Sequence, residues 1–176
     1  MSTGQQLLRS VKPEAILTIN GRTHRVGGLY GQKENAYLLP AWVNDFTKDN
    51  SDFQLLRYEV KALPPYLNPI SKVWATNRSP ATGKLVQFHY ISGLAELKGI
   101  TVTVNYELYD GIPLICKWLS VTNNSLKSIQ LDRVVNEVLG MVEEQSAVVG
   151  KPEQMKNHRV FILKAITLLI MLCAMT

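Results

Sequence analysis

Apolar and polar residues alternate along much of the chain in short extended runs, most clearly over residues 101–123. Val102, Val104, Tyr106 and Leu108 fall on one face at period two, and Thr101, Thr103, Asn105 and Glu107 on the other, the pattern of a strand with one buried face. Asp110-Gly111-Ile112-Pro113 interrupts the run; Asp-Gly is a strong turn dipeptide because glycine takes positive φ without a steric cost. Pro113 has no N–H for a ladder and belongs at the turn or at the start of the next strand. Residues 114–121 resume as an apolar strand containing Trp118. The prediction is an antiparallel hairpin.

The same punctuation recurs. Residues 15–19 and 22–26 form two β-rich runs around Asn20-Gly21, the strongest short-range hairpin signal. Gly27-Gly28 ends the second run; no GKS/T or GxGxxG pattern follows, so a sharp backbone turn outweighs a phosphate loop. Pro40 argues against a long helix in 33–42, which reads as a loop or one short turn, and 43–52 is polar and turn-like. Residues 53–62 place Leu56, Tyr58, Val60 and Ala62 at period two and predict a strand, although Leu55, Leu56 and Glu59 also suit a helix. After Pro64-Pro65 and Pro69, residues 71–75 suggest a further strand around Trp74. Residues 84–91 carry apolar side chains on both faces, which points to a central position in a sheet. Residues 129–142 read as one long strand or two, with Gly140 as a bulge. Many short strands separated by turns, with no helical period before the tail, predict an all-β chain built as an antiparallel β-sandwich. Its organisation is a polar leader over 1–12, a β-sandwich domain over 13–150 and a tail over 151–176.

The tail differs in kind. Residues 160–176 hold no acidic side chain and only Lys164 as a charge, behind a basic, polar flank. Out-of-frame translation is the leading reading. A membrane anchor comes next, with the basic flank on the cytoplasmic side, although a helix of this length spans about 25 Å against a core of about 30 Å. A buried helix or strand is the third.

Charge and cysteines remove several function classes. The net charge is +5, but lysines and arginines are scattered and do not interleave with aromatics, so no nucleic-acid partner is expected. Cys116 and Cys173 belong to no CxxC or Cys/His cluster, so neither a metal site nor a disulfide framework is expected, and no cofactor motif appears. Residues 1–14 lack the basic-then-apolar order of a signal peptide, which fits a cytoplasmic chain or a start lying inside a longer gene.

The candidate chemistry is sparse. Glu107, Asp110, Asp132 and Glu137 are the carboxylates open to the acid and nucleophile roles of a glycosidase. Asp110 is better read as a turn residue and Glu107 as an outer-face strand residue, so no catalytic pair is assigned. His24, His89 and His158 are dispersed; sugar-epimerising chemistry wants a His and a Glu facing one ring, and His89 with Glu107 on adjacent strands is the one candidate pair. Among aromatics, Trp74, Trp118, Tyr106 and Tyr109 are the candidate sugar-stacking residues, Trp74 foremost because it borders a loop, against the more frequent role of large aromatics as core.

The hairpin also carries a resemblance. Tyr106-Glu107-Leu108-Tyr109-Asp110-Gly111-Ile112-Pro113, followed by Lys117-Trp118, resembles the YE-YDG-P…KW signature of the N-terminal β-sandwich region of glycoside hydrolases related to family 36 alpha-galactosidases. Val26-Gly27-Gly28-Leu29, with Gly31-Gln32 and Ala36-Tyr37-Leu38, is similar to a second block of that family. The resemblance spans roughly residues 13–149. It implies a galactose-mutarotase-like supersandwich, a galactoside-like carbohydrate partner, and catalytic aspartates on a downstream barrel outside this chain. A piece of such a sandwich is expected to self-associate through unpaired sheet edges.

Overall fold

The computed structural model describes residues 11–32, 40–64, 82–111 and 113–140. They lie in one compact unit, Met1–Met141. The described residues form seven strands: β1 (Ala15–Ile19), β2 (Arg22–Val26), β3 (Phe53–Ala62), β4 (Gly83–Ser92), β5 (Ile100–Tyr109), β6 (Ile115–Asn123) and β7 (Leu131–Val135). Two short 3-10 turns, Pro40–Asp45 and Ala95–Leu97, are the only helical elements among the described residues. The all-β class follows. The strands form one mixed sheet in the order β6-β5-β4-β3-β2-β1-β7.

Both predicted hairpins form. Ile19 pairs with Arg22 across Asn20-Gly21, and both turn residues have positive φ, 49° and 76°, the geometry that matches the twist of paired strands. Leu108 pairs with Ile115 across the Asp110-Gly111 turn, so β6 starts one residue later than its hydrophobicity suggests. β4 is central, flanked antiparallel by β3 and β5.

The junction between β2 and β3 is parallel, through the single register pair Val26↔Phe53. Side chains reinforce it. Asp52 accepts from the Arg25 N–H (2.7 Å) and the Tyr30 hydroxyl (2.5 Å), and buried His24 bonds the Ser51 carbonyl through Nδ1 (2.8 Å). Burial, then the hydrogen bond to Asp52, pushes the Tyr30 hydroxyl up to about 12. Gly28 sits beside this junction with φ +84°, and a Cβ there would lie 2.9 Å from the Pro13 nitrogen; the Gly-Gly pair is thus a close backbone approach.

The predicted strand over 129–142 is shorter than expected. Among its described residues only Leu131–Val135 is extended; its partner β1 has five residues, and Val135 already faces Ile16. Gly140 lies beyond the strand, and the register irregularity falls instead between Thr18 and Ile19. The expected strand over 71–75, with Trp74, and the tail over 151–176 lie outside the described residues. No helix among the described residues is long and apolar enough to cross a membrane.

The sheet curls. Its core packs Ala15, Leu17 and Ile19 of β1, Val26 of β2, Phe53 of β3, Tyr90 of β4 and Ile100, Val102 and Val104 of β5 into one cluster. These side chains share the concave face. Beyond the core, the far halves of β3 to β6 continue that face in the open: Tyr58, Val60, Leu108 and Ile115 are all exposed.

Candidate functional site

The convex face of β3 to β6 is polar, and the sequence-predicted His89, Glu107 and Trp118 sit on it. Cross-strand register aligns Arg57 with His89, Glu59 with Gln87, His89 with Thr103 and Gln87 with Asn105, then Asn105 with Trp118 and Thr103 with Ser120. Hydrogen bonds run across the strands. Lys61 Nζ donates to Gln87 (2.8 Å), Gln87 Nε2 to Asn105 Oδ1 (2.7 Å), and Asn105 Nδ2 to Ser120 Oγ and the Trp118 carbonyl (both 3.4 Å). Glu107 is not a solvated outer-face residue: it is only 8 % exposed and accepts from the Tyr109 hydroxyl at 2.5 Å.

His89 and Glu107 share this face but do not meet. His89 pairs with Thr103, whereas Glu107 pairs with Leu85, four positions along; from strand rise and spacing the two side chains stand about 14 Å apart. Trp118 lies half-buried on β6, and its carbonyl accepts from Asn105 Nδ2. Trp74 lies outside the described residues, so its place beside the others is not assigned.

His89 itself is strained for partners. Its Nδ1 shares a 3.1 Å hydrogen bond with Thr103 Oγ1, but Nε2 is buried without one, and the nearest carboxylate oxygen, Glu59 Oε1, is 3.6 Å away. Glu59 is meanwhile ion-paired with Arg57 and Lys61. Burial first, then the Arg57 and Lys61 charges, lower the His89 pKa below its ordinary 6.5. The unfolded chain therefore binds a proton at this residue more readily than the folded one. Stability from this residue is complete above 6.5 and falls as pH drops through 6.5 toward the lowered folded value. Expected is a shallower loss of thermal midpoint between neutral and mildly acidic pH in His89→Gln than in the wild type. Parallel pH profiles for the two proteins would refute this.

The concave face holds a second constellation. A row of aromatic rings crosses it: Tyr58 against Phe88 (centroids 6.3 Å apart) and Phe88 edge-to-face with Tyr106 (6.0 Å). At the inner end of the row, Tyr106 donates to the Glu14 carboxylate. Lys117 stands over the Tyr106 ring at 5.5 Å, donates to the Glu14 carbonyl (2.7 Å), and pairs with the carboxylates of Glu14 (3.1 Å) and Glu137 (2.9 Å). The Lys117 side chain is only 9 % exposed, while Glu14 and Glu137 are each about one-third open. Burial and then the Glu14 hydrogen bond raise the Tyr106 hydroxyl far above its ordinary range.

The cluster also explains the curl. Lys117 lies on edge strand β6, Glu14 just before β1, and Glu137 just after β7, the opposite edge. One ammonium thus ties the two ends of the sheet together. Sequence reasoning singled out Glu137 only as a spare carboxylate and Lys117 only as part of a motif, and it passed over Glu14, Tyr58 and Phe88.

No described arrangement suits two-carboxylate hydrolysis. Asp132 caps the first hairpin, accepting from the Gly21 N–H at 2.8 Å, and Asp110 lies in the second turn. Glu59 and Glu107 are two strands and two positions apart, about 12 Å by strand geometry, wider than either glycosidase class uses. The Glu14 and Glu137 oxygens are at most 6.0 Å apart, the two Lys117 arms laid end to end, but Lys117 occupies the space where a scissile bond would lie. No group of three metal-binding side chains occurs among the described residues. Cys116 is a free, half-buried thiol. Compared with known proteins, the chain matches no family model, no curated protein and no solved structure.

Proposed function

We propose that this chain is a non-catalytic β domain of an alpha-galactosidase-like glycoside hydrolase, built on the galactose-mutarotase-like sandwich plan and supporting carbohydrate hydrolysis carried out on a separate barrel. The observation that carries this reading is the use made of the YE-YDG-P…KW residues. Tyr106 and Lys117 join the Glu14–Glu137 cluster, Tyr109 bonds Glu107, and Asp110-Gly111 forms the hairpin turn. Each of these side chains is committed to holding the sheet, which suits a supporting domain better than a catalytic one. The expected result is no turnover of p-nitrophenyl α-galactoside by the purified chain above the buffer rate. Turnover that disappears when Glu14, Glu107 or Glu137 is replaced by glutamine would overturn the reading.

A second reading, carbohydrate binding by the chain acting alone, draws support from the aromatic row on the concave face. Its epimerising form is disfavoured by the separation of His89 from Glu107.

A further inference from the structure

An open edge lies inside the strand order. β2 and β3 run parallel and meet only where β2 ends, at Val26↔Phe53. Past that point β3 has β4 on one side and, among the described residues, no strand on the other. Its side chains show how open this edge is. Leu55, Leu56, Tyr58 and Val60 are 52 to 66 % exposed, and Arg57 and Lys61 are more than half exposed. Such an edge offers alternate N–H and C=O groups to another strand. Natural sheets blunt their edges with proline, unmatched lysine, short length or a bulge. β3 is ten residues long and holds no proline, and Glu59 ion-pairs with both Arg57 and Lys61. The bulge falls at Leu56, near the junction, and leaves residues 57–62 in regular register with β4.

The order Arg57-Tyr58-Glu59 selects the occupant. Two antiparallel copies of β3, related by a two-fold axis normal to the sheet, keep concave beside concave, so residues of the same phase face each other. An axis through Glu59 would set Glu59 against Glu59 and Arg57 against Lys61, which repel. An axis through Val60 would match Glu59 with Lys61 but run the ladder past Ala62 into Pro64, which has no N–H. An axis through Tyr58 sets the two Tyr58 rings together, Arg57 against Glu59 on both sides, and Leu56 against Val60, with the ladder inside the strand. Opposite-charge and aromatic pairs are the cross-strand contacts that stabilise antiparallel sheets. An isologous contact needs a surface complementary to itself, and this short sequence is one. We propose that the open edge of β3 pairs antiparallel with β3 of a second copy of this chain, about an axis through Tyr58. The pairing is independent of the carbohydrate reading and of the hydrolysis assay.

Sedimentation velocity of the full chain tests it. The wild type is expected to pass from monomer to dimer across the micromolar range, as suits an interface of this small size. Arg57→Glu and Glu59→Arg each place like charges opposite at two positions and are each expected to weaken the dimer about tenfold. An equimolar mixture of these two variants restores opposite charges at both positions and is expected to recover wild-type association. Tyr58→Lys alters a solvent-facing ring, leaves Glu59 in place, and brings two ammonium groups together at the axis; it is expected to abolish the dimer. Circular dichroism establishes that each variant is folded. A wild type that stays monomeric throughout that range would overturn the proposal, as would oligomers that persist unchanged in Arg57→Glu and Tyr58→Lys. Weakening in both charge variants without recovery in the mixture would overturn the axis through Tyr58.

Discussion

Replacing Lys117 with methionine is expected to lower folding stability by about 2–4 kcal/mol, far more than the loss of an ordinary surface lysine. Methionine keeps most of the aliphatic stem, so the packing change is small and the missing ammonium dominates. Without it, the carboxylates of Glu14 and Glu137 face each other, and the Glu14 carbonyl loses its donor. Breaking a buried ion pair by removing one partner costs about 3–5 kcal/mol. The lower range reflects the solvent that still reaches both carboxylates and screens them. Glu137→Gln keeps a hydrogen-bond acceptor near the ammonium and is expected to cost about 1 kcal/mol or less. Urea midpoints at unchanged slope would measure both, and the double variant would give the coupling between the two sites. A Lys117→Met protein as stable as the wild type would mean that apolar packing alone closes the curl.

Much of this fold was legible where the chain's own neighbours decide it. The hairpin at 101–123 follows from strict alternation and an Asp-Gly turn, and the first hairpin from Asn-Gly; both place their strands within a residue or two of the observed ends. The concave apolar face of β5 was legible for the same reason. The opposite face was not. Thr103, Asn105 and Glu107 alternate as solvated residues should, yet they are 8 %, 2 % and 8 % exposed. Thr103 and Asn105 lie between His89 and Gln87 of β4 and Ser120 and Trp118 of β6, and Glu107 between Leu85 and Cys116, so polar partners come from strands that the sequence does not order.

The aromatic row depended on a second hidden feature. Phe53 and Tyr58 are five positions apart, which in a regular strand puts them on opposite faces. The register shift between Leu55 and Arg57 leaves Leu56 as an extra residue and restores Tyr58 to the core face. Period-two counting alone cannot detect that bulge; it placed Leu56 in phase with Tyr58. The ion cluster was hidden for a different reason. Glu14 and Lys117 are 103 residues apart, and only the curl brings them together.

Replacing Phe53 with alanine is expected to produce the largest loss, about 3–5 kcal/mol, in line with phenylalanine-to-alanine changes in closed cores. Phe53 is 0 % exposed, and its position makes it more than one core side chain among several. It forms the only register pair between β2 and β3, its carbonyl accepts from the Gly27 N–H at 2.8 Å, and its ring meets His24 edge-on at 6.2 Å. On one side of that junction stand β1, β2 and β7; on the other stand the long strands β3 to β6, which pair with one another over most of their length. The remaining ties at the junction are a few hydrogen bonds through Asp52 and Ser51, and each hydrogen bond nets about 1 kcal/mol. Removing the ring takes away the largest fully buried side chain of the core cluster that the two groups of strands share. Amide exchange in Phe53→Ala should therefore accelerate first in β1, β2 and β7, while the β4–β5–β6 ladder keeps its protection longer. Uniform acceleration across all seven strands, with a stability loss under about 1 kcal/mol, would show that the junction is held by its hydrogen bonds and not by this side chain.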